Sequence, residues 1–252
     1  MDLGLRGKRA LVVGASKGIG RQIAVSLSRE GVSVTTIARS LDLLESLDVE
    51  LAQDRQTSHT YYQADVMRQD PAGLASRILK ERGVFDIVVH NVGGSLVSRE
   101  PLGPVDDWHH AWMFNAGTAI AMNSVLVPPM VEQGHGRVIH VSSISAVMLR
   151  GNPLYASSKA FLNAYVTTVG RALAPSGVVM AAVMPGAVSF PGSYWDTFQK
   201  TDIARCEDFL RHHQAASRFG TADEIADVVT FLASDRSSFM QAALVPVDGA
   251  NM

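Results

Sequence analysis

The 252-residue sequence predicts an α/β fold, in which helices cover both faces of a parallel sheet. Short apolar runs rich in Val and Ile alternate with longer segments of helical length, a pattern typical of parallel strands joined by helices. The composition is globular, with 47% hydrophobic and 18% charged residues. A glycine-rich turn follows the first apolar run directly, as in folds that bind phosphate groups.

Seven apolar runs are predicted to form buried strands, and six segments between them are predicted to form helices. The strands are expected at 9–14, 32–38, 59–64, 85–91, 136–142, 177–184 and 242–247. The helices are expected at 18–30, 40–53, 70–82, 106–133, 153–174 and 221–234. The region of about 187–219 is too long for a plain connection and is predicted to be a substrate loop or lid. We therefore expect a single domain over residues 1–252.

Charge and hydropathy narrow the function classes. The net charge is −2 and the pI about 6.4, and no basic block stands out, so nucleic acid is not an expected partner. No apolar stretch reaches the ~18 residues that span a bilayer, and the N-terminus lacks a secretion signal, which predicts a cytoplasmic protein without a membrane partner. One cysteine, Cys206, cannot form an internal disulfide, as is usual in a reducing compartment.

The glycine turn reads Gly14-Ala-Ser-Lys-Gly18-Ile-Gly20, between a predicted strand and a predicted helix. Glycines there let the backbone approach a phosphate, and the first N–H groups of the helix point towards it. A tight turn without a ligand is the alternative, but the strand–turn–helix context favours phosphate binding. The spacing is G-x3-G-x-G rather than the common G-x-G-x-x-G.

The end of the second strand predicts which dinucleotide binds. An acidic residue there would accept the ribose 2′-hydroxyl of NAD, whereas an arginine accommodates the 2′-phosphate of NADP. The sequence has Arg39 followed by Ser40 at this point and Lys17 in the glycine turn. Two cations bind a phosphate through charge-assisted contacts, so NADP(H) is favoured over the alternative of solvated surface charges.

A tyrosine and a lysine lie one helical turn apart in Tyr155-Ala-Ser-Ser-Lys159. Ser143 ends the fifth predicted strand, where open α/β sheets bind ligands, and Ser142 is the alternative. A nearby lysine cation favours the phenolate, so we expect Lys159 to lower the pKa of Tyr155 from about 10. The tyrosine could then exchange the proton of a carbonyl/alcohol pair, while the serine holds the substrate oxygen.

These motifs, in this order, resemble the short-chain dehydrogenases/reductases in their short single-domain form, over about residues 7–249. The resemblance implies a Rossmann-type, doubly wound seven-stranded parallel sheet in three αβα layers. It also implies an enzyme that transfers a hydride between NADP(H) and a ketone/secondary alcohol pair. A small-molecule substrate and a homo-oligomer, a tetramer or a dimer, are the implied partners.

The resemblance also implies roles for individual residues. Ser143, Tyr155, Lys159 and Asn115 are the implied catalytic residues, Asn115 through a water that its helix backbone holds. The implied cofactor-binding residues are Gly14, Ser16, Lys17, Gly18, Ile19, Gly20, Arg39, Ser40, Asp65, Val66, Asn91, Gly93, Tyr155, Lys159, Pro185, Gly186 and Val188. On physical grounds alone, Asp65 could equally be a turn residue or a helix cap. No metal site is expected, because the adjacent His212 and His213 lack a third ligand at a recognisable spacing.

The sequence departs from the family pattern around the glycine turn and after the sixth strand. Val13 stands where threonine is usual, and His90 and Val92 replace residues of the usual Asn-Asn-Ala-Gly. The threonine normally ties the turn to the fourth strand, so this contact is expected to differ. Phe190 stands where threonine is common.

Substrate recognition is predicted in segments 94–100, 144–152 and 187–215. The last segment holds Phe190, Tyr194, Trp195 and Phe198, which indicate either an apolar or ring-bearing substrate or an anchor for the lid. Arg150 could meet a substrate carboxylate or phosphate, or face solvent. A 3-oxoacyl thioester and a secondary-metabolite or sugar ketone both remain candidate substrates, and a non-catalytic NADP(H)-binding sensor or scaffold is the alternative function.

Overall fold

The computed structural model describes residues 2–53, 57–95 and 99–251. Its strands are β1 (Arg9–Val13), β2 (Ser33–Ala38), β3 (Thr60–Gln63), β4 (Ile87–His90), β5 (Gly136–Val141), β6 (Val178–Pro185) and β7 (Leu244–Val247). They form one parallel sheet in the order β3-β2-β1-β4-β5-β6-β7. The predicted seven-stranded, doubly wound sheet is confirmed.

Ten α-helices connect the strands in the part of the chain that the structure describes. They are α1 (Gly18–Arg29), α2 (Leu41–Leu51), α3 (Pro71–Arg82), α4 (Val105–Trp112), α5 (Thr118–Glu132), α6 (Ser145–Met148), α7 (Pro153–Leu173), α8 (Tyr194–Thr201), α9 (Ile203–His213) and α10 (Ala222–Ala233). None of the helices in these described segments is both long and apolar enough to cross a membrane.

Side-chain alternation along β1 explains why the sheet carries helices on both faces. Ala10 and Val12 belong to one core, with apolar residues of α1 and α10. Leu11 and Val13 belong to the other, with residues of α3, α5 and α7. Successive side chains of a strand point to opposite faces, so a strand apolar throughout is stable only when both faces are covered.

Local capping sets where α7 begins and so places the tyrosine of its first turn. The Asn152 side chain accepts hydrogen bonds from the N–H groups of Leu154, at 2.9 Å, and Tyr155, at 3.4 Å. Pro153 takes the first helical position, where its missing N–H costs nothing and its fixed φ suits a helix. Helix α7 therefore starts two residues before Tyr155.

Two stretches differ from the sequence prediction. The predicted helix 106–133 is interrupted by a π-helical turn at Met113–Gly117. The region 187–219, predicted as an irregular lid, contains the two short helices α8 and α9. Ser193 and Asp202 start these helices by accepting the N–H groups of Asp196 and Arg205, short-range caps that turn a long connection into helical structure.

The topology fixes where a ligand can bind. The strand order reverses between β1 and β4, which are neighbours in the sheet although two strands separate them in the chain. In open α/β sheets the crevice beyond the carboxyl ends of the strands at such a reversal is the usual ligand site. The glycine turn follows β1 there, Asn91 follows β4 and Ser142 follows β5.

Candidate active site

A cleft of about 340 Å³ lies at these strand ends. Most residues predicted to bind a cofactor or to act in catalysis line it. They are Gly14, Ser16, Lys17, Ile19, Arg39, Asp65, Val66, Asn91, Gly93, Ser143, Tyr155, Lys159, Pro185, Gly186 and Val188. The structure thus gathers residues from seven separate stretches of the chain in one cleft.

Four predicted residues, Gly18, Gly20, Ser40 and Asn115, are not part of this lining in the described structure. Gly18 has a φ of +57°, and a β-carbon added to it would lie 2.5 Å from ring atoms of Phe190. A β-carbon at Gly20 would collide with the Gly14 carbonyl and the Asn91 side chain, so Gly20 allows the helix to pack closely on the turn. Ser40 precedes α2 as its N-cap residue.

Backbone contacts hold the glycine turn in place. The Gly14 N–H donates to the Ile37 carbonyl at 2.8 Å, and the Asn91 side chain donates to the Gly14 carbonyl at 2.9 Å. The turn is therefore fixed to both β2 and β4. Val13, where a threonine was expected to make this connection, contributes its backbone carbonyl to the Asn91 N–H at 2.9 Å instead.

The turn and the start of α1 fit a dinucleotide phosphate. Helix α1 has no side-chain cap and no acidic residue in its first turn, so its first N–H groups are available to an anion. Lys17 and Arg39 line the same cleft. Asp65 also lines it, and its carboxylate accepts the Met67 N–H at 3.0 Å, so the turn and cleft interpretations of Asp65 are compatible.

Ser143, rather than Ser142, faces Tyr155. The Ser143 side chain lies close enough to Tyr155 to lower the pKa of its phenol, and the Ser143 hydroxyl accepts the Ser145 N–H at 3.1 Å. The Ser142 hydroxyl instead donates to Asn163 Oδ1 at 2.6 Å. The hydroxyl of Ser143, just after β5, and that of Tyr155 on α7 therefore lie in the same part of the cleft.

Lys159 lies behind this pair, one turn along α7. Its ammonium donates to the Val141 carbonyl at 2.8 Å and lies 5.9 Å from the centre of the Tyr155 ring. The lysine is only 3% exposed. Burial lowers the pKa of Lys159 from 10.5 to about 7, because a buried ammonium loses its hydration.

The expected effect of Lys159 on Tyr155 is wrong for this structure. Burial raises the pKa of Tyr155 above its usual 10.0, and the hydrogen bond from Ser143 only partly offsets that rise. Desolvation opposes both the phenolate and the ammonium, so the close placement of the two residues does not by itself create an ion pair. Tyr155 is therefore protonated near neutral pH and has a proton that it can donate.

Asn115 lies in the π-helical turn and meets the same group of residues. Its Oδ1 accepts the Gly94 N–H at 2.8 Å, and its Nδ2 donates to the Ala111 carbonyl at 3.0 Å. A β-carbon at Gly93 would lie 2.7 Å from Asn115 Oδ1 and 2.9 Å from Lys159 Nζ. Isolated π-helical turns are frequent at functional sites, and this one brings Asn115 towards Lys159.

His90 points away from the cleft into a buried polar cluster. His90 and His140, paired across β4 and β5, stack with ring centres 4.9 Å apart. His90 is 2.8 Å from Asn123 Oδ1, and the Asn123 amide nitrogen is 3.3 Å from His140. Burial lowers the pKa of His90 to about 4, so the residue is neutral near pH 7 and serves to join the strands to α5.

The predicted lid, residues 187–219, contributes a tryptophan that the sequence motifs alone did not assign to the cleft. Trp195 lines the cleft and packs against Phe209 and Phe219, with ring centres 4.6 and 5.2 Å apart. The aromatic residues therefore anchor the lid, as one interpretation predicted, while one of them also faces the site. Cys206 is buried beneath this group. In the predicted substrate segment 94–100, residues 96–98 lie outside the described part of the chain.

The sequence analysis did not predict three further groups of the site, which are Phe114, Met67 and the Val141 carbonyl. Phe114 and Met67 line the cleft, and each stands next to a flagged motif residue, Asn115 and Val66, which is the signal that could have found them. The Val141 carbonyl carries no such signal, since every residue has one.

A family model described as enoyl-(acyl carrier protein) reductase matches residues 14–250. The chain belongs to the short-chain dehydrogenase/reductase family. It is 30% identical to the 3-oxoacyl-(acyl-carrier-protein) reductase of Escherichia coli, over 98% of both chains. It is 28% identical to the 2-dehydro-3-deoxy-D-gluconate 5-dehydrogenase of Bacillus subtilis, over 97% of this chain and 94% of the relative. The resemblance predicted from the motifs is confirmed.

Solved structures of this family have the same fold. The chain superimposes on L-sorbose reductase from Gluconobacter frateurii, solved with NADPH and L-sorbose, with a TM-score of 0.90. The identity is 26%, and the alignment covers 99% of this chain and 98% of that one.

The buried lysine leads to a stability prediction. Replacing Lys159 by Met should raise the free energy of unfolding at pH 7 by about 2–4 kcal/mol, measured by urea denaturation. In the unfolded chain the lysine keeps a pKa near 10.5, whereas in the folded chain the pKa is about 7. Between pH 7 and 10.5 the unfolded state therefore binds one more proton than the folded state. The destabilisation that Lys159 causes in the wild-type protein grows as the pH falls through this range.

The gain from Lys159→Met should shrink towards zero as the pH rises to about 10.5. Lys200, whose side chain is 70% exposed and paired with Asp196, supplies the control Lys200→Met, which should change stability little at either pH. A Lys159→Met protein that is less stable than the wild type at pH 7 would contradict the burial argument.

Proposed function

We propose that the protein is an NADP(H)-dependent oxidoreductase that interconverts a ketone and a secondary alcohol. The observation that carries this proposal is the gathering of Ser143, Tyr155 and Lys159 in the same cleft as the glycine turn, with Lys17 and Arg39 also lining it. A proton donor and a phosphate-binding turn in one cleft are what a nicotinamide-dependent carbonyl reduction requires.

The comparisons support the enzyme class and the cofactor. The E. coli relative is a 3-oxoacyl-(acyl-carrier-protein) reductase and the G. frateurii neighbour is a sugar reductase solved with NADPH. The predicted oxidoreductase activity on a carbonyl/alcohol pair and the predicted NADP(H) cofactor are confirmed at this level. None of the reported relatives supports the alternative of a non-catalytic sensor or scaffold.

The chain's own residues supply the proton and hold the substrate oxygen. In this proposal Ser143 donates a hydrogen bond to the carbonyl oxygen, and Tyr155 transfers its phenolic proton to that oxygen as negative charge develops there. When bound, NADPH supplies the hydride. The raised pKa of Tyr155 keeps its proton in place at neutral pH until the substrate oxygen becomes the stronger base.

Lys159 and Asn115 act behind Tyr155. The Lys159 pKa of about 7 matches the pH at which a group can both take up and release a proton. We assign Lys159 to reprotonating the tyrosine. Asn115 is assigned to the relay, because its side chain is held by Gly94 and Ala111 in the π-helical turn close to the ammonium.

The remaining cofactor-binding assignments follow the cleft. Lys17 and Arg39 are proposed to bind the 2′-phosphate, with Ser40 beside them, and Asp65 and Val66 to border the adenine. Gly14, Ser16 and Ile19 form the phosphate side of the cleft, and Pro185, Gly186 and Val188 form the nicotinamide side. Gly18 and Gly20 act by allowing the close packing around the turn.

The chain is proposed to act as one domain over residues 1–252 and to form a dimer or tetramer. Phe161 of α7 is 47% exposed and packs edge-on against Trp112 of α4, which leaves an apolar surface on the helices expected to pair. Light scattering of the purified protein that gave the mass of a monomer would refute the oligomer. A cytoplasmic location stays a prediction.

Removing the phenolic hydroxyl should abolish turnover without abolishing cofactor binding. We expect Tyr155→Phe to lower kcat by about 10²–10⁴-fold, the usual contribution of a positioned general acid. The Kd of NADPH should change by less than about fivefold, because one neutral hydrogen bond is the most that binding loses. NADPH consumption with a ketone measures the first, and nicotinamide fluorescence measures the second.

Tyr62→Phe provides a matched control, since Tyr62 on β3 donates its hydroxyl to Glu81 on α3 and is not among the described residues lining the cleft. It should leave both quantities unchanged. A Tyr155→Phe enzyme with wild-type kcat would falsify the proposed acid. Wild-type protein that binds NADPH but consumes none with any ketone would favour the sensor alternative.

The two cations should account for the choice of cofactor. Lys17→Ala and Arg39→Ala should each raise the Kd of NADPH by about tenfold, the usual worth of one charge-assisted phosphate contact. The Kd of NADH, which lacks the 2′-phosphate, should not rise. Arg29→Ala, at the far and exposed end of α1, should alter neither Kd. An equal rise in Kd for NADPH and NADH would show that Lys17 and Arg39 do not bind the 2′-phosphate.

A further inference from the structure

The end of the cleft beyond β5 and β6 differs chemically from the end that holds Lys17 and Arg39. Pro185, Gly186 and Val188 form the nicotinamide side in the proposed function, and the residues that border the space beside it, here named the substrate end, are Ser143, Tyr155 and Trp195. Most of this surface is apolar. The substrate of the proposed reaction must therefore fit a surface that is apolar apart from the hydroxyl groups of Ser143 and Tyr155.

In the described part of the chain, the substrate end offers no exposed charge to pair with an anionic substrate. Among the described residues that line the cleft, its one charged side chain is Lys159. That ammonium is 3% exposed and already donates to the Val141 carbonyl at 2.8 Å. A carboxylate or phosphate placed here would lose its hydration without gaining a partner, which is strongly unfavourable.

The substrate end also offers few hydrogen bonds. Ser143 and Tyr155 both serve a single oxygen, the reacting one, in the proposed function. The Ser142 hydroxyl, which also borders the cleft, is taken up by Asn163. A polyhydroxylated ketone would bring several further hydroxyl groups to this surface, and each buried group without a partner weakens binding.

Trp195 forms a rigid flat surface at this end. Its ring packs against Phe209 and Phe219, tilted by 32° and 34°, and meets Tyr194 edge-on. These neighbours fix the orientation of the indole while one side of it borders the cleft. A fixed aromatic surface binds a ring with little loss of side-chain freedom.

Exposed apolar groups also follow Ser143 along the chain. Val147 is 56% exposed and Leu149 is 71% exposed. Leu149 has a φ of +52°, a conformation that costs energy for a residue with a β-carbon and that clusters at functional sites. At these two positions the segment between Ser143 and Tyr155 presents apolar side chains to solvent. Arg150, the next residue, is also exposed, but it is not among the described residues that line the cleft.

We infer that the substrate is an uncharged ketone that carries an apolar ring, with its carbonyl at Ser143 and Tyr155 and its ring against Trp195. The inference rests on the proposed function and narrows it. It separates this chain's substrate from charged sugar acids and from polyhydroxylated sugars, although both occur among the substrates named for its relatives.

Matched ketones test the charge and the ring separately. The wild-type enzyme with NADPH at pH 7.5 would be assayed with 4-methylacetophenone, with 4-acetylbenzoate, which differs by a carboxylate, and with L-sorbose. We expect kcat/KM for the neutral aryl ketone to exceed that for each of the others by about 100-fold or more, since the site leaves their extra polar groups unpaired.

Two lid variants separate direct contact from lid packing. Trp195→Ala should raise the KM for 4-methylacetophenone by about tenfold and change kcat little, since ring stacking is worth about this much. Phe209→Ala removes a neighbour of Trp195 but no described group of the cleft lining, and should have a smaller effect on that KM. The Kd of NADPH should be unchanged in both variants.

A direct binding measurement keeps the test independent of turnover. In the Tyr155→Phe protein saturated with NADPH, calorimetry should detect 4-methylacetophenone and should detect 4-acetylbenzoate at least tenfold more weakly. The inference is overturned if the carboxylate or L-sorbose is bound or reduced as well as the neutral aryl ketone, or if Trp195→Ala and Phe209→Ala have equal effects. The proposed function would survive that result, because NADPH would still be consumed in a Tyr155-dependent reaction. No turnover with any ketone would overturn both.

Discussion

The hydrogen bond from Lys159 to the Val141 carbonyl is the contact on which the rest of the site depends. It joins α7 to the carboxyl end of β5 at 2.8 Å and gives a nearly fully buried ammonium its described protein acceptor. Burying a charge is unfavourable even when the charge is hydrogen-bonded. Burial therefore lowers the pKa of Lys159 to about 7. The hydrogen bond holds Lys159, which can carry a proton near neutral pH, behind Tyr155. It requires β5 and its neighbouring strand to keep their register.

Pairing between β4 and β5 provides that register. His90 lies opposite His140 in the sheet, and Asn123 of α5 contacts both rings. The residue after His90 is Asn91, which holds the glycine turn, and the residue after His140 is Val141, which holds Lys159. Buried hydrogen bonds between elements favour one arrangement of those elements over others, although His140 Nδ1 has no hydrogen-bond partner in the described structure. This cluster therefore aligns the phosphate side of the cleft with the proton-transfer side, which explains how His90 can replace the family's usual residue without disturbing the turn.

The parts of the site that depend on local spacing could be predicted from the sequence. The contacts between residues far apart in the chain could not. The glycine turn and the Tyr155–Lys159 pair were predicted because a turn and a helix fix the positions of near neighbours. The stacking of His90 on His140 depends on strand register, which single-sequence patterns do not reveal. The pKa of Tyr155 was predicted in the wrong direction because burial, a property of the whole fold, outweighs the lysine that the spacing placed nearby.

The cleft combines two opposite electrostatic environments within about 340 Å³. Lys17, Arg39 and the uncapped start of α1 attract a polyanion at one end. At the other end the buried Lys159 is too well shielded to attract one, and Trp195 presents an apolar surface to the cleft. Because electrostatic interactions strengthen as water is excluded, the same apolar wall that selects an uncharged ring also strengthens the bonds from Ser143 and Tyr155 to the developing oxyanion. Substrate selection and catalysis are thus two consequences of one surface, and a substrate that brought its own charge would weaken both.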